Sequence, residues 1–222
     1  LHNKKGTTSM FEDFDQVIAV SPSIAHLIKK APVTAIYNGV IAPTPVENGR
    51  QLLAQEFGFD AAKPILIAIG RLVDAKGFDI LIPAAVRAGV QVLIVGEGER
   101  RKLLEAQIVE TKATVVLAGF RQDAQRLLAA ADSLVISSRN EGGPYTLVEA
   151  LLVNVPVVST DVGMVQEFVP EQLIVPVENV KALAERMQWA VSHLAEWREL
   201  MQASWQKAQQ QLTLEAMVQK TQ

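Results

Sequence analysis

The chain contains no cysteine, which removes disulfides, thiolate nucleophiles and cysteine-based metal sites and is compatible with a reducing cytoplasm. It has no excess of either charge: 21 basic against 24 acidic residues leave a formal charge of −3. No electrostatic footprint therefore argues for nucleic acid or an anionic membrane surface as partner. No apolar run reaches the roughly 18 residues of a membrane span, and the first residues lack the basic-then-apolar order of a signal peptide. Internal repeats and low-complexity tracts are missing too, the glutamines at 209–211 being too few to count. The chain begins at Leu1 rather than methionine, which suggests a trimmed product or a fragment. What is present is a globular composition, 222 residues with 49% apolar content, enough to bury a sizeable core in one large α/β domain.

Short Val- and Ile-rich runs alternate with longer segments of helical period, the pattern of parallel βαβ units. Strands are expected at Val17–Val20, Thr34–Tyr37, Ile65–Ile69, Gln91–Val95, Thr114–Leu117, Ser133–Ile136, Val155–Val158 and Leu173–Val175. Most are apolar throughout, as strands covered by helices on both faces must be. Helices are expected at Asp79–Ala88, Glu99–Glu110, Asp123–Ala131, Tyr145–Val153 and Val180–Leu194, with "APTPVENG" at 42–49 as a linker before the main series.

Open parallel sheets bind ligands beyond the carboxyl ends of their strands, so the loops there are the candidates. "GRLVDAKG" at 70–77 opens on Gly70, which lets the chain leave its strand tightly, and places two cations, Arg71 and Lys76, on one short loop. A planar fork of donors and a compact point charge suit a diphosphate; the alternative is a pair of solvated loop charges. The order is not that of a P-loop. "GEGE" at 96–99 resembles part of a dinucleotide fingerprint but reads more simply as a tight turn. "GFRQD" at 119–123 is a further glycine-and-charge exit.

The segment "SSRNEGGPYTLVEA" at 137–150 sets Glu141 and Glu149 on either side of Gly142, Gly143 and Pro144. The glycines free the backbone for close approach, and the proline suits a helix start. Glu149 then lies in the second turn of a helix and Glu141 on the loop before it. Two readings stay open: a carboxylate pair acting across a glycosidic bond, which needs the carboxyls about 5–10 Å apart, or two acceptors for the hydroxyls of one sugar-containing ligand.

Taken in order, "VIAVSPSIAHLI…VTAIYNGV", "ILIAIGRLVDAKGFDILIPAA", "VLIVGEGERRKL" and "VVLAGFRQDAQRLLAAADSLVISSRNEGGPYTLVEALLVNVPVVSTDVGMVQEFV" resemble the C-terminal half of retaining GT-B glycosyltransferases of the GT4 family. The resemblance spans residues 16 to 195, and "LTLEAM" resembles that family's closing helix. The seven-residue gap between Glu141 and Glu149 is its most diagnostic element.

The resemblance implies a Rossmann-like doubly wound parallel sheet binding a nucleotide-sugar donor, a UDP- or GDP-sugar. Arg71 and Lys76 would bind and stabilise the departing diphosphate, Glu149 would accept from the ribose hydroxyls, and Glu141 would hold hydroxyls of the sugar. The amides of Gly142, Gly143, Tyr145 and Thr146 would reach sugar and phosphate, and Gly96 with Phe120 and Arg121 would flank the base. Transfer would proceed with retention, by front-face attack, with no cofactor and no metal, the two cations doing the neutralising. "DFD" at 13–15 is a polar lead-in to a strand rather than a metal motif, and His2, His26 and His193 are surface or packing residues.

By the same resemblance, residues 1–15 are a tail from a missing N-terminal domain that binds the acceptor, and 16–195 are the nucleotide-sugar-binding domain. Helices at 196–222 would pack on the missing domain, leaving an exposed apolar face and a route to a dimer. The full enzyme would be cytoplasmic, with peripheral association at the inner face of a membrane, in cell-surface polysaccharide, lipopolysaccharide or glycolipid synthesis; this half alone would be inactive. A nucleotide-sugar epimerase or hydrolase of GT-B architecture, and a non-enzymatic nucleotide-binding module, are the alternatives. Ile41 follows "NGV" where the family commonly has an acidic residue, so the donor sugar stays open.

Overall fold

The computed structural model describes residues 14–222. His2, Asp13 of "DFD" and all but the last two residues of the expected 1–15 tail lie outside the described residues. The first elements, β1 (Val17–Ala19), α1 (Pro22–Ala25) and β2 (Val33–Ala35), form a two-stranded parallel sheet with its own small core of Ala19, Ile24 and Ile28. This sheet is separate from the main one, and the expected linker at 42–49 stands between the two. Alternating apolar residues identify a strand but not its hydrogen-bonding neighbour.

After α2 (Gly49–Phe57) the series runs β3 (Ile65–Ile69), α3 (Phe78–Ala88), β4 (Gln91–Val95), α4 (Arg101–Thr111), β5 (Val115–Gly119), α5 (Ala124–Ala130), β6 (Ser133–Ile136), α6 (Tyr145–Leu152), β7 (Val157–Thr160), α7 (Val165–Phe168) and β8 (Ile174–Val175). The strands pair in the order β5-β4-β3-β6-β7-β8, all parallel. This is the Rossmann-like doubly wound sheet expected. Strand order reverses between β3 and β6, so the loops leaving these two strands diverge over a crevice. The runs of β3, β4 and β6 fall where expected because these strands are buried on both faces, whereas β7 starts two residues later than expected, at Val157 in place of Val155. Three elements close the chain: α8 (Val180–Ser192), α9 (Leu194–Gln211) and α10 (Leu214–Thr221). Helices α3, α4 and α8 pack together on one side, and α2, α5, α6 and α9 pack as a second layer.

Two local features explain how these helices hold. Pro83 lies inside α3 and has no N–H to give to the carbonyl of Asp79. That carbonyl instead accepts from Gln107 Nε2 on α4 at 2.9 Å, so the lost intrahelical bond becomes an interhelical one. Helix α2, unforeseen from its weakly patterned sequence, is anchored by Arg50, whose guanidinium forks onto Asp132 at 2.8 and 2.5 Å. Asp132 also accepts from the amide of Ile65 at the start of β3.

The C-terminal helices bury part of the apolar face expected on them, while Leu200, Leu214 and Met217 are half-buried. Trp197, Met201, Trp205 and Leu212 are buried within the main core, and α9 packs on α6, α7 and α8. Gln209 Nε2 donates to the Leu152 carbonyl at 2.9 Å, and Lys207 Nζ to that of Glu167 at 2.5 Å. The following turn pairs with the segment before the linker: the amide of Val40 donates to the Leu212 carbonyl, and that of Leu214 to the Val40 carbonyl. The apolar stripe of α9 thus finds its cover inside this chain. On α10, Val218 stays exposed.

Candidate functional site

The site lies over the crevice between β3 and β6. Loop 70–77 leaves β3, turns through a 3-10 segment at Asp74–Lys76 and enters α3. It lies against the loop leaving β6: the Lys76 carbonyl accepts from Ser137 Oγ at 2.9 Å, and the Ala75 carbonyl from the amide of Arg139 at 2.8 Å. Approach is so close that a Cβ at Gly77, which has φ +63°, would meet the Ser137 carbonyl oxygen at 2.1 Å. The loops from β3 and β4 are equally tight, since a Cβ at Gly96 would lie 1.9 Å from the carbonyl oxygen of Gly70.

Two expected residues meet here. Lys76 Nζ lies 2.5 Å from Glu141 Oε1, and both side chains are largely shielded from solvent. Ser138 Oγ donates to the same oxygen at 2.8 Å. Arg71, on the same loop as Lys76, is exposed, and its side chain has no polar partner among the described residues. Helix α6 starts just beyond Glu141 with Pro144 at its N-cap and no capping side chain. The amides of Gly142, Gly143, Tyr145 and Thr146 have no acceptor among the described residues, so several donors converge where a helix dipole is positive. Such an arrangement suits an anion near Arg71 and Lys76 and hydroxyls near Glu141.

Glu149 faces a different neighbour. Its Oε1 accepts from Gln125 Nε2 on α5 at 2.8 Å, so the two glutamates share no partner and the acid–base pair reading gains no support. Burial pushes the Glu149 carboxyl above its ordinary value near 4.5, against a smaller opposing effect of the Gln125 bond. Because the folded state holds this proton more tightly than the unfolded one, stability falls as pH rises from about 4.5 through the raised value. Glu149→Gln keeps the acceptor for Gln125 and removes the desolvated charge. It should raise Tm at pH 7 by up to about 2 °C and flatten this limb, as scanning calorimetry at pH 4 and pH 7 would register.

Beyond Gly96 and Gly119, Phe120 is 72% exposed at the exit of β5. Arg121 beside it is paired with carboxylates on two sides. Its guanidinium forks onto Asp123 at 2.8 and 2.9 Å, reaches Glu56 at 2.6 Å and lies over Phe57, 5.5 Å from the ring centre. These carboxylates hold its pKa well above the ordinary arginine value. Arg121 therefore serves as a tie between this loop and α2, which its position beside Phe120 could not reveal.

Arg139, between the serines and Glu141, likewise points away from the crevice. It forks onto Asp79 at 2.9 and 2.8 Å and meets Glu178 at 2.8 Å and the Asp74 carbonyl at 2.6 Å. Asp79 is held below the usual carboxylate range by Arg139. Residues overlooked in the sequence are Ser137, Ser138 and Thr160, whose hydroxyls tie the loops together. Their only signal was small polar residues ending otherwise apolar strands. His26 is exposed, and the exposed His193 stacks on Trp189 with ring centres 5.3 Å apart. Among the described residues no group of three metal-ligating side chains occurs, and no helix is long and apolar enough to cross a membrane.

Comparison with known proteins gives consistent matches. A family model described as Glycosyl transferases group 1 matches residues 63–193. The lipopolysaccharide core biosynthesis glycosyltransferase LpsE of Rhizobium meliloti is 31% identical over 161 residues, covering 68% of this chain and 46% of LpsE. Among solved structures, the sucrose-phosphate synthase of Thermosynechococcus elongatus superposes with a TM-score of 0.84 at 24% identity, over 96% of this chain and 58% of that one. Anabaena Alr3699/HepE, solved in complex with UDP, matches with a TM-score of 0.84 at 23% identity, over 96% of this chain and 64% of that one. These structures share the GT-B fold. The chain spans about half the length of the curated relatives it matches.

Proposed function

We propose that this chain, which belongs to the glycosyl transferases group 1 family, is the donor-binding half of a retaining glycosyltransferase that uses a nucleotide-diphosphate sugar. The observation that carries this reading is the meeting of Lys76 with Glu141 at the switch point, beside the unpartnered amides of 142–146. The diphosphate lies between Arg71, Lys76 and these amides. Glu141 accepts from the sugar hydroxyls, Glu149 from the ribose, and Gly96, Phe120 and Arg121 border the base. HepE, of the same fold, has been solved with UDP and with UDP-glucose, which supports a uridine or similar donor.

When the bond from the anomeric carbon to the phosphate oxygen breaks, its electron pair goes to the diphosphate. Arg71 and Lys76 stabilise that charge without a metal, more strongly in the transition state than before it. The acceptor oxygen bonds to the same face of the carbon, and its proton passes to the departing phosphate. The acceptor is held by a further domain, so this chain alone transfers no sugar. The pathway is cell-surface polysaccharide, lipopolysaccharide or glycolipid synthesis, a reading that the name of LpsE, a lipopolysaccharide core biosynthesis glycosyltransferase, supports; the full enzyme works at the cytoplasmic face of a membrane.

Separating the two glutamates tests this reading. Glu149→Gln weakens a charge-assisted acceptor, so affinity for UDP and for UDP-glucose should fall together, each by about 5- to 20-fold. Glu141→Gln should lower affinity for UDP-glucose by a similar factor while changing UDP less than about 2-fold. Titration calorimetry in which both variants lose UDP affinity equally would overturn the assignment.

A further inference from the structure

We infer that Ser138 is a positioning residue for the donor sugar: it aims the Glu141 carboxylate into the crevice, and Thr160 holds Ser138 in place. This rests on the reading of Glu141 as the acceptor of sugar hydroxyls. Ser138 and Thr160 are both buried. Thr160 Oγ1, at the end of β7, donates to the Ser138 carbonyl at 2.7 Å, which fixes the backbone where β6 ends. Ser138 Oγ in turn donates to Glu141 Oε1 at 2.8 Å.

Both donors to Glu141, Ser138 Oγ and Lys76 Nζ, take Oε1. Among the described residues Oε2 has no partner. The carboxylate is thus gripped by one oxygen and offers the other to a ligand. The two donors differ in permanence. Lys76 ends a flexible stem, and an incoming diphosphate competes with Glu141 for its charge. Ser138 is held by a buried hydrogen bond from a neighbouring strand, and its hydroxyl donates to Glu141 alone among the described residues. Once Lys76 turns to phosphate, Ser138 is the donor that keeps Oε1 anchored and Oε2 facing the sugar. Its neighbour Ser137 acts on the other loop, donating to the main-chain carbonyl of Lys76. Consecutive serines at one strand exit therefore set the two halves of the site, one by backbone and one by side chain.

The measurable quantity is the ratio of the Kd for a nucleotide sugar to the Kd for its nucleoside diphosphate, taken for UDP-glucose with UDP and for GDP-mannose with GDP. On the 222-residue chain, Ser138→Ala should raise this ratio by about 5- to 20-fold while moving the diphosphate Kd less than about 2-fold. Thr160→Val, which removes the hydroxyl that holds the Ser138 carbonyl, should raise it by roughly 2- to 5-fold, and it carries the test if Ser138→Ala does not fold. In a Glu141→Gln background, Ser138→Ala should add nothing, because its effect passes through that carboxylate.

A purely structural serine would give a different pattern, with diphosphate affinity lost alongside and losses multiplying in the double variant. That pattern overturns the proposal. If Glu141→Gln moves the ratio and neither Ser138→Ala nor Thr160→Val does, the positioning role is wrong and the site reading stands. If Glu141→Gln leaves the ratio unchanged, or neither diphosphate binds, the site reading itself fails and takes this inference with it.

Discussion

Lys76→Ala is expected to weaken binding of a nucleoside diphosphate by two orders of magnitude or more, while the affinity for the free nucleoside stays nearly unchanged. Removing one partner of a shielded charge pair costs about 2–5 kcal/mol, much of it the penalty of leaving the other charge unpaired. Here the loss has two parts. The phosphate loses a point charge carried on a loop that two hydrogen bonds, from Ser137 to the Lys76 carbonyl and from Arg139 to the Ala75 carbonyl, hold against the exit of β6. Glu141 also keeps its negative charge at the crevice with only Ser138 to compensate it, so an arriving diphosphate meets repulsion where it met a cation. Arg71→Ala should follow the same direction with a smaller loss, because Arg71 is exposed and solvent screens it. Isothermal titration with UDP and uridine distinguishes the outcomes, and equal losses for both ligands would exclude a diphosphate contact at this loop.

Trp197→Ala should destabilise the chain by about 3–5 kcal/mol, lowering Tm by roughly 6–20 °C for a domain of this size. The side chain is fully buried in the main core, on a helix that also bonds to α6 and α7 through Gln209 and Lys207. Filling so large a void would require α9 to shift against two layers of packed residues. Val109→Ala is the control, since Val109 is exposed on α4 and its loss should stay within about 0.5 kcal/mol. Had α9 depended on another domain for cover, the two variants would look alike by scanning calorimetry. A near-silent Trp197→Ala would restore that alternative and remove α9 from the domain core.

The strands at Ile65–Ile69, Gln91–Val95 and Ser133–Ile136 were legible to the residue because a strand buried on both faces can carry almost nothing polar. The start of the helix at Tyr145 was equally legible, because Pro144 suits a helix entry and not a helix interior. That the loops leaving β3 and β6 are the candidates also followed from local sequence, since both carry glycine and charge at a strand exit of a parallel sheet. Helix α2 was not legible: its pattern is weak, and its place depends on Arg50 reaching Asp132, 82 residues away.

Charged side chains were the least legible of all, because a cation's partner is set by the fold and not by its neighbours in the chain. Arg71, Arg121 and Arg139 look alike as loop arginines. The tertiary structure leaves the first open to solvent, binds the second to Asp123 and Glu56, and makes the third a strut to Asp79 and Glu178. Lys76 and Glu141 stand 65 residues apart in sequence. Only the reversal of strand order between β3 and β6 brings their loops face to face, with Ser138 and Thr160 beneath them.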